Sequence, residues 1–478
     1  MSIISGQCPL WHVEQKGKCK YISTLRGHIQ CSKDTLVLYN NLCLTWDNKT
    51  DSVYASYCLY IPIDHSWCKT NKYEISTNLS GPKLNEWMCG RLNRQGVHCK
   101  QCISGYGPAS LSDGVSCADC SKHMHWWIFN LTLQLLCLTI VFVIIMVLRV
   151  KGTASPWNII ITYSQLIVNA LMYNVHLRNH IECYAGKRVK TALITILDVS
   201  NLDFFRLVIP PLCISSSIGA INTLFFDYIL ALYPILMTIV VYTLIELHDC
   251  NCKIIVVLSL PIRKLYHYLK GRWHPKQSIL STFATFLLLS YSKLLFVSCN
   301  FLFTVRSYNS SGDLVSDNTV LLYDPTIPYF KFKHIPYIII ALSVIITFIL
   351  LPPLLLLLYP TRPFRKLLTC CGFRRWDILH MIMDTFQGWY KDGTEGTYDY
   401  RPLSALYMLL RIGLVTEYLT VIGLSLYSNG GLKWFVTGLL HVFLATLTFI
   451  AKPYKKHWMN ITDGFILMFT GLCCMTLD

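Results

Sequence analysis

Trp126-Trp-Ile-Phe-Asn-Leu-Thr-Leu-Gln-Leu-Leu-Cys-Leu-Thr-Ile-Val-Phe-Val-Ile-Ile-Met-Val-Leu148 decides the fold. The run has no charged residue, and a helix over it, at about 1.5 Å per residue, crosses the roughly 30 Å hydrocarbon core of a bilayer. It is the first of a series. Comparable runs follow at 156–175, 220–247, 278–304, 335–359, 402–427, 434–451 and 459–477. Eight spans predict an all-α polytopic membrane helix bundle over residues 125–478. A ninth stretch, 191–217, is apolar but holds Asp198, Asp203 and Arg206, and Pro210-Pro211 would break a helix. It reads as an interfacial or re-entrant segment.

Composition agrees. Of the 478 residues 53% are hydrophobic and only 14% charged, against about 25% charged in soluble domains. A soluble enzyme core, a coiled coil and a disordered scaffold are excluded on that ground. The net charge of +16 would suit nucleic acid if it were clustered, but it follows the loops. The loops 149–155, 248–277, 360–401 and 452–457 carry 18 Lys and Arg, against 9 in 176–217, 306–333 and 428–433. The bias puts the first set, including the longer loops 248–277 and 360–401, in the cytoplasm. The N-terminus is then outside, and the expected location is the plasma membrane, with the lipid bilayer as partner and no nucleic acid.

Residues 1–124 read as a separate extracellular domain of short strands and loops. Eleven of the 21 cysteines lie there: Cys8, Cys19, Cys31, Cys43, Cys58, Cys68, Cys89, Cys99, Cys102, Cys117 and Cys120. That density belongs to an oxidising compartment, where bridges replace a core too small to hold itself. Eleven is odd, so at least one is unpaired or pairs elsewhere. Asn48 and Asn78 stand in N-glycosylation sequons here, and Asn309 in another on a loop predicted to be outside. Asn130 and Asn460 also match the sequon but fall in or beside spans, where modification is not expected. Cys99-Lys-Gln-Cys102 and Cys117-Ala-Asp-Cys120 would suit a zinc ribbon in a reducing compartment. Further cysteines upstream and the neighbouring sequons favour disulfides, and with Gly105, Gly107 and Gly114 the stretch 89–120 suits a compact module of the EGF or tumour-necrosis-receptor type. The residues after Met1 show neither the basic nor the apolar region of a cleavable signal, so an upstream segment or the first span acting as a reverse anchor is expected to carry the domain outside, and the chain stops on an apolar segment at Met475-Thr-Leu-Asp478. Both ends are expected to continue.

Ionisable residues inside spans are costly and need a partner or a wet cavity. The candidates are Asp227, Lys293, Arg411, Glu417, His441 and Asp463. They form either a polar pathway or ion pairs that fix helix packing. Lys293 is the deepest, and Asp227, Glu417 and Asp463 are its possible partners. Pro234 and Pro352-Pro353 lie inside spans, freeing carbonyls and kinking helices, for gating or for shape. Cys370 and Cys371 sit among Arg, Lys and Phe just past a span, a setting for palmitoylation or a plain basic stop signal. Residues 378–390 have helical apolar spacing and suggest an interfacial helix. No catalytic motif is present, so no enzyme, metal or cofactor is expected.

Cys89-Gly-Arg-Leu-Asn-Arg-Gln-Gly-Val-His-Cys99-Lys-Gln-Cys102-Ile-Ser-Gly-Tyr-Gly-Pro108 ahead of the first span resembles a family of invertebrate multi-pass membrane proteins of the sponge and cnidarian type. Leu289-Ser-Tyr-Ser-Lys-Leu294, Leu322-Tyr-Asp-Pro-Thr-Ile-Pro328, Lys333-His-Ile-Pro336 and Ala451-Lys-Pro-Tyr-Lys455 extend the likeness over most of the chain. The resemblance implies the architecture above and a larger extracellular region. Such proteins are filed as receptor-related or compared with TRP-like channels, and no activity comes with them. The reading is therefore a receptor-like or adhesion-type surface protein with an extracellular ligand or partner of unknown identity. The alternative is a channel or transporter. A seven-helix G-protein-coupled receptor fits less well, because the third span ends Ile245-Glu-Leu-His-Asp249 without an acidic-Arg-Tyr signal and the late spans lack NPxxY.

Overall fold

The computed structural model describes residues 126–148, 220–249, 275–305, 327–361, 376–394, 396–424 and 430–475. It also describes strands between 12 and 76, parts of 83–120, and short pieces that include 212–213, 320–321 and 324; side chains are described only within 83–475. The described residues are mostly helical. We number the helices α1 (Trp126–Leu148), α2 (Ala220–Asp249), α3 (Pro275–Asn300), α4 (Ile335–Leu358), α5 (Trp376–Gln387), α6 (Leu403–Leu424), α7 (Gly430–Ala451) and α8 (His457–Met475). Among the described residues three helices are long and apolar enough to cross a membrane: α2 over Ile221–Glu246, α3 over Ile279–Asn300 and α4. The chain is an integral membrane protein on that basis. Shorter apolar stretches occupy Leu131–Met146, Leu403–Gly413 and Phe435–Ala451. The predicted span 156–175 lies outside the described residues.

The helix α3 is the axis of the bundle. Of its span 89% is buried, against 22% for α4, and α1, α2, α4, α5 and α6 all pack on it. Its buried face is apolar at Phe286, Leu294 and Phe301, but Thr285, Ser290, Ser292 and Lys293 are buried with them. The segment α5 does not lie on the surface as an interfacial helix would. Met383, Thr385, Phe386 and Gln387 are buried against α3 and α4, and Gln387 Nε2 donates to Leu356 O at 2.6 Å. The amphipathic spacing was legible, but its apolar side meets helices instead of lipid.

The pair α7 and α8 forms a close antiparallel hairpin. A Cβ on Gly438 would stand 2.8 Å from Gly471 O, and one on Gly471 would stand 2.8 Å from Gly438 O. Small residues let the two backbones approach, the usual device where apolar burial alone gives no drive between helices in lipid.

Ahead of α1 the described chain is antiparallel strands. His12–Gln15 pairs Lys18–Tyr21, Leu42–Asp47 pairs Ser52–Tyr57, and Thr35–Tyr39 pairs both Ile29–Cys31 and Lys72–Ser76. The last strands reach the bundle. Tyr106–Ser110 pairs Cys117–Asp119 with Pro108 opposite Cys117, and pairs Leu212–Cys213 with Ala109 opposite Cys213. The tail of the 191–217 segment is thus an edge strand on the cysteine-rich region; the rest of that segment lies outside the described residues.

Candidate functional site

The prolines of α2 and α4 and the polar residues of α3 explain each other. Pro353 has no N–H to give Ile349 O four residues back. Tyr291 of α3 donates its hydroxyl to that carbonyl at 2.9 Å. Just upstream, Ile345–Leu350 widens into a π turn, and Leu351 N–H bonds Ile346 O five residues back. The wider turn makes room for the Pro352-Pro353 rings, and such turns often mark functional sites. Pro234 likewise leaves Leu230 O without its helical donor, and Ser290 of α3 donates to the adjacent Ala231 O at 2.7 Å. Two consecutive α3 hydroxyls therefore bond backbone carbonyls of the proline-containing helices on either side, Tyr291 at the carbonyl that Pro353 frees and Ser290 at the one next to that freed by Pro234.

One turn further along α2, Asp227 accepts an ion pair from Lys293 at 3.5 Å. Of the three partners the sequence allowed, the structure selects Asp227. Lys293 is 8% exposed and Asp227 20%. A charge taken out of water at such a depth is tolerated when its partner goes with it. Tyr228 and Ser298 share a hydrogen bond of 2.8 Å beyond the pair, and Ser298 also donates to Leu294 O at 2.6 Å. The seam is occupied by its own groups.

A second cluster lies between α6 and α8. Asp463 accepts hydroxyls from Tyr407 of α6 and, at 2.8 Å, from Tyr454 in the turn before α8. Tyr390 stacks on Tyr454 with ring centres 4.8 Å apart. Arg411, 1% exposed on α6, lies within electrostatic reach of Tyr390 and of Tyr291 on α3. Arg411 and Tyr291 thereby connect the two clusters. His441 is fully buried on α7, where Nδ1 bonds Thr437 O at 2.7 Å. Glu417 is on α6, and its side chain lies outside the described residues. Asn460, a chance sequon, is buried and holds the turn: Oδ1 accepts from Tyr454 N at 2.9 Å.

Beside this cluster the 388–401 loop is fastened by Lys391 N to Pro453 O and Lys455 N to Trp389 O, both 2.9 Å. Asp392 accepts from the Thr394 hydroxyl at 2.6 Å and faces Lys455 at 3.5 Å. The Thr394 hydrogen bond first, with Lys455 adding its charge, holds this carboxyl down at about 2.

The far ends of α2, α3 and α4 are tied by residues that sequence reasoning left without roles. Asp324 Oδ2 accepts Ile221 N–H at 3.1 Å, filling one of the open donors at the start of α2. His334 Nε2 meets Phe301 O at 2.8 Å, and Nδ1 accepts Phe330 N–H at 3.2 Å. Phe225, Tyr228, Phe301 and Tyr337 fill the space between with ring centres 5.5–5.8 Å apart. Asp324, His334 and Tyr337 fall in or beside the motifs quoted at 322–328 and 333–336. A buried Asp and His next to Pro at the edge of a span was the available signal.

The cysteines complete the site. Cys102 is bonded to Cys117 and Cys120 to Cys213, with Cα separations of 5.8 and 5.0 Å. Cys89 is also disulfide-bonded. Cys213, read as part of an apolar segment, is a partner outside the N-terminal region, one of the two outcomes that the odd count allowed. Cys8, Cys58, Cys68 and Cys99 lie outside the described residues, as do Asn48, Asn78, Asn309, Cys370 and Cys371; Cys19, Cys31 and Cys43 are on described strands but their side chains are not. Among the described residues no group of three His, Cys, Asp or Glu is placed to hold a metal. Compared with family models, with curated proteins and with solved structures, the chain matches none.

Proposed function

We propose that the chain is a receptor-like surface protein of the plasma membrane, with its N-terminal cysteine-rich region outside and eight spans behind it. One observation carries this reading. The strand Tyr106–Ser110 is joined to Leu212–Cys213, and Cys120 is covalently tied to Cys213 across 93 residues of sequence. Whatever the outer region binds acts directly on the loop that leads into α2, and α2 is ion-paired to the axial helix. A disulfide between two parts of the chain also calls for one oxidising side for both. The basic loops 248–277 and 360–401 then take the cytoplasmic face, and the sequons at Asn48, Asn78 and Asn309 face outward. The invertebrate family of the motif resemblance is the proposed affiliation, and the ligand is an extracellular molecule or partner protein.

A channel or transporter is the second reading, favoured by the π turn and the Lys293–Asp227 pair inside the bundle. The engagement of the α3 hydroxyls with backbone carbonyls weighs toward a packed transmitting core. The test uses an antibody fragment raised against residues 1–120 and hydrogen exchange of the purified protein in nanodiscs. The fragment is expected to change exchange in residues 220–249 of the wild type, and not in the Cys120→Ser, Cys213→Ser protein. Unchanged exchange in the wild type overturns the transmission reading.

A further inference from the structure

Just ahead of α4 aromatic and basic residues alternate: Tyr329-Phe-Lys-Phe-Lys333. Phe330 is 66% exposed and Phe332 88%, the latter among the most exposed large apolar side chains described, and Lys331 and Lys333 are exposed beside them. Exposure here is built and held. Phe330 sits at φ +56°, a left-handed conformation that costs a bulky residue energy. Its N–H is captured by His334 Nδ1, while His334, fully buried, is anchored through Nε2 to Phe301 O at the end of α3. The ring of Tyr329 packs edge-on against Phe330 at 4.8 Å and lies 4.9 Å from His334. The tip is therefore fixed to the bundle through Tyr329 and His334 while both phenyl rings stay exposed.

The span of α4 begins at Ile335, three residues after Phe332. That places the tip at the level where hydrocarbon gives way to headgroups, the depth at which aromatic rings concentrate in membrane proteins. Two lysines interleaved with two phenylalanines match the chemistry of that layer, with phosphates for the ammonium groups and upper acyl chain for the rings.

We propose that residues 329–333 form a membrane-interface anchor: Phe330 and Phe332 insert into the leaflet at the N-terminal end of α4, and Lys331 and Lys333 hold phospholipid phosphates there. The anchor would fix the depth of α4, and through His334 that of α3. It depends on α4 crossing the bilayer and not on the receptor reading.

The full chain is reconstituted in nanodiscs of phosphatidylcholine and phosphatidylglycerol with p-benzoylphenylalanine in place of Phe332, irradiated, and analysed by mass spectrometry. Phospholipid adducts at residue 332 are expected. Adducts to protein alone, or none, overturn the insertion. Lys331→Gln, Lys333→Gln protein is compared with wild type by native mass spectrometry for retained phosphatidylglycerol. Each lysine is expected to contribute roughly fivefold to retention. Equal retention in the two overturns the phosphate contact, and the exposed positions of both lysines leave the fold unaffected.

Discussion

Replacing Lys293 by Met removes the cation 3.5 Å from Asp227 inside the bundle. Two unit charges at that distance attract by about 5 kcal/mol at an effective dielectric of about 20, a value suited to a pair of which one member keeps some exposure. Most of that attraction offsets the desolvation of the two ions, so the pair is worth little net against an apolar replacement, whereas removal of one partner costs about 3–5 kcal/mol. Lys293→Met and Asp227→Leu are each expected to destabilise by that amount. The double variant is expected to return to within about 2 kcal/mol of wild type, a coupling of a few kcal/mol. Unfolding of the purified protein in mixed micelles of increasing SDS fraction, followed by tryptophan emission, measures all four corners of the cycle. Single variants that each cost under about 1 kcal/mol and simply add would refute the pairing, and with it the account of α3 as a self-satisfied seam.

Tyr291→Phe removes the donor to Ile349 O, and the buried carbonyl left behind is expected to cost about 1–3 kcal/mol in the same assay; faster amide exchange in 345–358 would accompany it. Gly438→Ala sets a methyl 2.8 Å from Gly471 O and 2.5 Å from Met475 Cγ, so the α7–α8 hairpin must spread, at about 1–3 kcal/mol. Asp392 gives an acid dependence of defined sign. Its folded value is depressed to about 2, below the ordinary value of about 3.9, so its contribution is complete above pH ~4 and is lost as pH falls toward 2. Asp392→Asn is expected to remove that part of the acid sensitivity, read as stability from pH 5 to 2, and the effect is small because the group faces solvent.

What the residues disclosed in advance follows from how local each signal is. Apolar length is a property of a single segment, so α2, α3 and α4 were legible from their own sequences. The odd number of cysteines in the N-terminal region is a counting argument, and it allowed an unpaired cysteine or an outside partner without deciding between them; Cys213 carries no local mark because the strand that seats it is only two residues long. Lys293 was conspicuous for the same reason, as a charge in an apolar run. Its pairing with Asp227 depends on which helices adjoin α3, a matter of three-dimensional packing. Tyr291 was invisible as a functional group, since a hydroxyl in a span becomes telling only when a proline on a neighbouring helix has freed a carbonyl opposite it. The segment at 378–390 misled for a related reason: an amphipathic period states that one side is buried, and is silent on whether lipid or protein buries it.

The covalent link between the cysteine-rich region and the strand that leads into α2 carries the proposed receptor reading, and peptide mapping of protein taken from the cell surface tests it most directly. Digestion without reduction is predicted to yield one peptide pair joining Cys120 to Cys213, which separates on reduction, from chains that carry glycan at Asn48 or Asn78. Recovery of Cys120 and Cys213 as free thiols in protein that has reached the surface would contradict it.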